Sequence, residues 1–186
     1  MNRQAMKDFR FYKECFATLH TAKVGKLPAP HKPLLLLSVI DLVERGVIAS
    51  NKIELSDALV RTFKLNANRF LGHSVVFRPN IGQPFYHMQS EPFWRLVPER
   101  SQMVSGVAAE PINTVPEKKV TYSVKGLRER YWYAEIDIEL FELLLNEDVR
   151  AKFRTSLISW YLSQQPNSIS PLGSITLIIA SLSFIA

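Results

Sequence analysis

The chain has 186 residues, with 23 Lys and Arg against 17 Asp and Glu, four His and one Cys. That length suits one compact domain, or one domain with an appendage, and 47% hydrophobic against 22% charged residues excludes wholesale disorder. The lone Cys15 excludes an intramolecular disulfide framework and a CxxC zinc site; no secretory pattern opens the sequence, so a soluble, cytoplasmic protein is expected.

Residues 1–32 hold seven Lys and Arg against Asp8 and Glu14, a net of +5, out of +6 for the whole chain. A polyanion suits such a segment, nucleic acid being the commonest; a solvated helix face with a basic connector accounts for it equally. Phe9, Tyr12, Phe16 and Leu19 recur at helical steps, with Cys15 beside them as a small core residue. Residues 24–30 form a Gly/Pro connector that includes Lys26. Pro33 suits the first turn of a helix, and the run Leu34 to Val43 is apolar nearly all round. It is too short to span a bilayer, so it reads as a central buried helix stopped by Gly46.

Asn51 to Leu55 reads as a short extended piece. Ser56 then caps a helix with Leu59, Val60, Phe63, Ala67 and Phe70 on one side, ended by Gly72. Arg61, Lys64 and Arg69 lie on its other faces, within reach of phosphates, and Arg78 follows in the next loop. Phe85–Met88 and Phe93–Val97 read as two short strands about a turn at Ser90-Glu91-Pro92. Two helices and a ribbon are similar to a winged-helix arrangement, a likeness of shape alone.

Residues 101–119 read as a long loop or hinge, and Val120–Val124 and Arg130–Tyr133 as further strands. Asp137 is placed to cap a helix through Leu145, and Asn146 or Glu147 to open the last one, with Val149, Phe153, Leu157, Trp160 and Tyr161 inward. The expected class is therefore α+β, mostly helical with a short β-ribbon, a winged-helix-like N-terminal part and closing C-terminal helices. Residues 1–163 are expected to form the working domain. Residues 164–186 form an apolar, uncharged tail, read as a truncated or altered end ahead of a weak membrane or partner contact.

Catalytic constellations are missing. His20, His31, His73 and His87 fall in no metal-ligand spacing, and there is no GxSxG, P-loop or GxGxxG. The acids around 135–148 read as helix caps and solvated faces. A non-enzymatic protein without cofactor or metal is expected.

The informative stretch is Ala29-Pro30-His31-Lys32-Pro33-Leu34-Leu35-Leu36-Leu37. A His-Lys pair between prolines, at the N-terminus of a buried helix, is suited to an anion, phosphate above all. The other reading has His31 capping the helix and Lys32 in solvent.

This stretch, followed by Gln83-Pro84-Phe85-Tyr86-His87-Met88 and Glu91-Pro92-Phe93-Trp94-Arg95-Leu96, resembles the DNA sulfur-binding domain of McrA-type HNH restriction endonucleases, over residues 5–162. The resemblance implies a pocket for a backbone phosphorothioate built from His31 and Lys32 with Gln83, Pro84, Phe85 and His87. Gln83 stands where the family has an aromatic and His87 where it has a small apolar residue, so this pocket is more polar than the family's. Lys26, Arg61, Lys64, Arg69 and Arg78 are expected to add contacts to the DNA backbone by their charge. No HNH motif follows residue 162, so cleavage would fall to a separate HNH nuclease. The expected partner is double-stranded DNA, phosphorothioate-modified, with no membrane. The alternatives are a DNA-binding module without sulfur selectivity, or a protein-interaction module with a basic face.

Overall fold

The computed structural model describes residues 7–24, 27–72, 79–99 and 122–163. Asp8 opens α1 (Phe9–Ala17), its carboxylate accepting from the Phe11 N–H at 3.0 Å, and the helix buries Tyr12 and Phe16. A two-residue hairpin, β1 (Lys23–Val24) and β2 (Leu27–Pro28), leads to α2 (His31–Glu44). Eleven of the fourteen residues of α2 are buried, as an all-round apolar helix requires. Gly46 ends it at φ +67°, a left-handed conformation that residues with a Cβ resist.

β3 (Lys52–Ile53) precedes α3 (Asp57–Leu71), capped by the Ser56 hydroxyl, which accepts from the Leu59 N–H at 3.2 Å. Leu59, Phe63 and Ala67 face α2, and the contact carries one polar layer. Asn66 donates to Ser38 (3.2 Å) and Asp41 (2.8 Å), and Arg154 holds the other Asp41 oxygen at 2.7 Å. Arg45 donates to Thr62 at 2.8 Å. These pairings make α2 and α3 antiparallel, so the C-terminal end of α3 lies beside the opening turns of α2.

α4 (Gly82–His87) runs into a 3₁₀ turn, Met88–Ser90, and then β4 (Trp94–Pro98). α5 (Val124–Arg130) leads directly into β5 (Tyr131–Ile136), followed by α6 (Ile138–Leu145), α7 (Glu147–Leu157) and a π-helical turn, Ile158–Leu162. The sheet is antiparallel in the order β3-β5-β4, with Ala134 opposite both Ile53 and Leu96 and Ile136 opposite Trp94. Its covered face and α1, α2, α3, α6 and α7 enclose one apolar core, in which Phe16 meets Phe93 at 5.3 Å and Phe153 at 4.8 Å. No helix among the described residues is long and apolar enough to cross a membrane.

The mostly helical α+β class holds. The ribbon expected from neighbouring segments does not form. Phe85–Met88 is the end of α4 and the start of the 3₁₀ turn, and β4 pairs instead with β5, some forty residues further on. Pro84 in a first helical turn lacks an N–H that the helix would not use, which favours helix where alternating apolar residues suggested strand. Val124 begins a helix rather than ending a strand, because Ser123 caps it through the Gly126 N–H at 3.1 Å. Asp137 precedes α6 without a side-chain cap. Its carboxylate accepts from the Lys7 ammonium and the Tyr12 hydroxyl, both at 2.8 Å, distant donors that take it from the local N–H groups. The loop expected over 101–119 and the tail 164–186 lie outside the described residues.

Gly82 opens α4 against the chain ahead of α5. A Cβ there would overlap the Tyr122 carbonyl oxygen, whereas one at Gly46 meets nothing within 4 Å. Gly82→Ala is therefore expected to lose about 1–3 kcal/mol through displaced backbone. Gly46→Ala is expected to lose about 1 kcal/mol through backbone conformation alone. Urea unfolding of both variants separates the two causes.

Candidate functional site

Lys32 is the second residue of a helix whose neighbours are nearly all buried. Its own exposure is 6%, so its ammonium must meet an acid inside the protein. That acid is Glu91, 4% exposed, just after the 3₁₀ turn. The ammonium donates to Glu91 Oε1 at 2.5 Å and to Ser90 Oγ at 2.8 Å. Glu91 also accepts from the His20 backbone N–H at 3.0 Å, and its second oxygen lies 3.3 Å from His20 Nδ1. One carboxylate thus joins the end of α1, the start of α2 and the turn before β4.

Above this pair lies an open pocket of about 400 Å³. His31 and Lys32 line it from α2, and Gln83, Pro84 and His87 from α4. Thr21, Ala22 and Ala29 close the third side, with His20 and Ser90 at its margin. Two stretches fifty residues apart therefore meet at one cavity. Helical spacing explains the choice of residues on α4, since positions i, i+1 and i+4 share a face and put Gln83, Pro84 and His87 together. Phe85, grouped with them by sequence, turns the other way. It is buried in the core with its ring edge-on to Trp94 at 5.6 Å, and does not line the pocket.

His87 keeps an exposed edge and stacks at 5.0 Å from Tyr122. Burial of the rest of its ring, and then the Lys32 charge, lower its pKa from the ordinary value, so it is a neutral imidazole at pH 7. The pocket consequently holds one compensated cation, the neutral His87 imidazole, the Gln83 amide, hydroxyl groups, and apolar walls from Ala22, Ala29 and Pro84, with the His20 and His31 rings beside them. Such a surface suits a large, polarisable and weakly hydrogen-bonding anion better than a hard, strongly hydrated one. Lys32 is not the free cation that its sequence position suggested, because its charge is committed to Glu91.

Of the backbone contacts expected from sequence, Arg61, Lys64 and Arg69 stand on the exposed side of α3, and no carboxylate among the described residues pairs with them. Lys26 and Arg78 lie outside the described residues. The basic N-terminal segment is partly neutralised within the fold: Lys7 pairs with Asp137 and Lys32 with Glu91, while Arg10, Lys13 and Lys23 remain exposed. Sequence reasoning passed over Glu91, His20, Ser90 and Thr21. The available signal was Lys32 itself, a cation inside a buried helix, but nothing in the chain order marks Glu91 among 17 acids as its partner. No group of three or more His, Cys, Asp or Glu among the described residues is placed to hold a metal ion. No protein-family model matches the chain, and no curated protein matches it.

Lys32→Ala leaves Glu91 as an unpaired buried carboxylate and is expected to lose about 3–5 kcal/mol in urea unfolding. Lys32→Met combined with Glu91→Gln removes both charges and is expected to recover most of that loss. His87 takes its proton in the unfolded chain at about pH 6.5 but only at lower pH when folded. Its contribution is therefore present above that pH and is lost as the pH falls through the folded value. His87→Gln should lose less stability than wild type between pH 7 and pH 5.

Proposed function

We propose that the protein binds double-stranded DNA and seats a backbone phosphorothioate in the pocket at the start of α2. It would act as the recognition module of a modification-dependent restriction system, with cleavage left to a separate HNH nuclease. The observation that carries this reading is the meeting of His31 and Lys32 with Gln83, Pro84 and His87 at one cavity. They come from two of the three stretches by which the sequence resembles a DNA sulfur-binding domain.

The electrostatics of the pocket favour sulfur over oxygen. A free lysine would attract any phosphate by charge, whereas the Lys32–Glu91 pair has no net charge to offer. What remains is selective by size and softness. Pro84 and the two alanines contact the sulfur, and the His31 and Gln83 side chains face the remaining oxygens, with the neutral His87 imidazole at the pocket edge. One Lys32 N–H is left over after Ser90 and Glu91 and serves the same end. The exposed cations elsewhere supply attraction to the duplex without regard to sulfur.

The test compares affinities for matched duplexes with and without one phosphorothioate, at two salt concentrations. The modified duplex is expected to bind more tightly by a factor that salt leaves unchanged, since no free cation of the pocket carries the preference. His87→Ala should raise the preference for sulfur by removing a polar group, and Pro84→Ser should lower it. Equal binding of the two duplexes would reduce the reading to a general DNA-binding module. Failure to bind either at low salt would leave the protein-interaction reading.

A further inference from the structure

The outward side of α3 has a composition that its fold does not require. Arg61, Lys64, Leu65, Asn68 and Arg69 recur at the three- and four-residue steps of one helical face, and all five are exposed. The helix carries one acid, Asp57, one turn before Arg61 and answered by both Arg128 and Arg61. The Arg128 guanidinium holds its carboxylate at 2.7 Å and lowers its pKa. From Arg61 onward the charged residues of this face are all cationic. In its middle sits Leu65, 66% exposed, the most exposed of the large apolar side chains among the described residues, beside the amide of Asn68.

We infer that α3 is a base-reading helix that lies in the major groove of duplex DNA, with Asn68 and Leu65 contacting base edges and Arg61, Lys64 and Arg69 gripping the flanking phosphates. This rests on the proposed binding of DNA and goes beyond it by assigning the base context to particular side chains. From Arg61 to Arg69 the helix advances about 12 Å, comparable to the width of the major groove. An amide that hydrogen-bonds adenine on two atoms and an apolar side chain that meets a thymine methyl are the two kinds of contact that distinguish an A·T pair there. Cations at both ends of the stripe complement the phosphate walls on either side. Because α2 and α3 are antiparallel, Asn68 and Arg69 lie towards the same end of the helix pair as the pocket.

The experiment uses the full chain and a pool of duplexes, each with one phosphorothioate flanked by randomised base pairs. Wild type is expected to select an A·T pair at a fixed distance from the modification. Asn68→Ala should abolish that selection, weakening the chosen duplex by about tenfold while keeping the ratio between modified and unmodified DNA. Replacing the selected thymine by deoxyuridine should weaken wild type but leave Leu65→Ala unaffected, because the methyl and the side chain form one contact. Arg61→Gln, Lys64→Gln and Arg69→Gln together should lower the salt dependence by up to about three phosphate contacts. All five side chains are exposed, so the variants keep the fold.

If wild type binds duplexes without base preference, or Asn68→Ala and Leu65→Ala keep the wild-type preference, α3 does not read bases, and DNA binding stands without it. An unchanged salt dependence in the triple variant would likewise remove this face from the DNA. If wild type binds no duplex at all, this inference falls together with the proposed function.

Discussion

The buried pair of Lys32 and Glu91 is the contact on which the working end of the molecule depends. It joins three parts of the chain that share no secondary structure: the loop after α1, the first turn of α2 and the turn leading into β4. Taking two charges out of water is unfavourable, and such a pair holds only when further hydrogen bonds satisfy both ends. Ser90 does so for the ammonium and the His20 N–H for the carboxylate. A pair of this kind adds little net stability over apolar residues of the same shape. What it specifies is relative position, since any slip of α4 or of the 3₁₀ turn against α2 would leave a charge without its partner. The pocket walls are the residues adjoining that pair, and their placement follows from it.

The same pair sets the chemical character of the site. With Lys32 compensated and the His87 imidazole neutral, the cavity offers shape, apolar walls and polar side chains without a free lysine charge, while α3 carries cations with no carboxylate partner among the described residues. On the proposed function, long-range attraction and local discrimination are carried by different residues. That division lets a surface bind a polyanion and still distinguish one backbone group from another, because the non-selective charge does not overwhelm the selective contacts.

Much of the helical framework was legible in the sequence. Ser56 and Gly72 bound α3, Asn146 opens α7 and Gly46 stops α2, each through a local requirement of capping or backbone conformation that the residue itself satisfies. The all-round apolar run of α2 announced its burial. Phe85 to Met88 was misread as a strand because its apolar residues fit either period over so short a span. The error matters for the site. A strand would have put Phe85 and His87 on one face, whereas the helix groups Gln83, Pro84 and His87 and sends Phe85 into the core.

By itself the sequence determined the fold class, the central helix and most helix boundaries, because these rest on local propensity and hydrophobic period, while the two stretches that meet at the pocket were marked only by a resemblance. Only the tertiary structure decided which charges are spent inside the fold. Lys7 and Lys32 counted towards a basic N-terminal segment, yet Asp137 and Glu91 neutralise them across 130 and 59 residues. It also decided that β4 pairs with β5 and that Asp137 serves Lys7 and Tyr12 rather than its own helix. Each of these is a contact between groups far apart in the chain, and neither spacing nor composition encodes which distant partner a buried charge or an open strand edge will find.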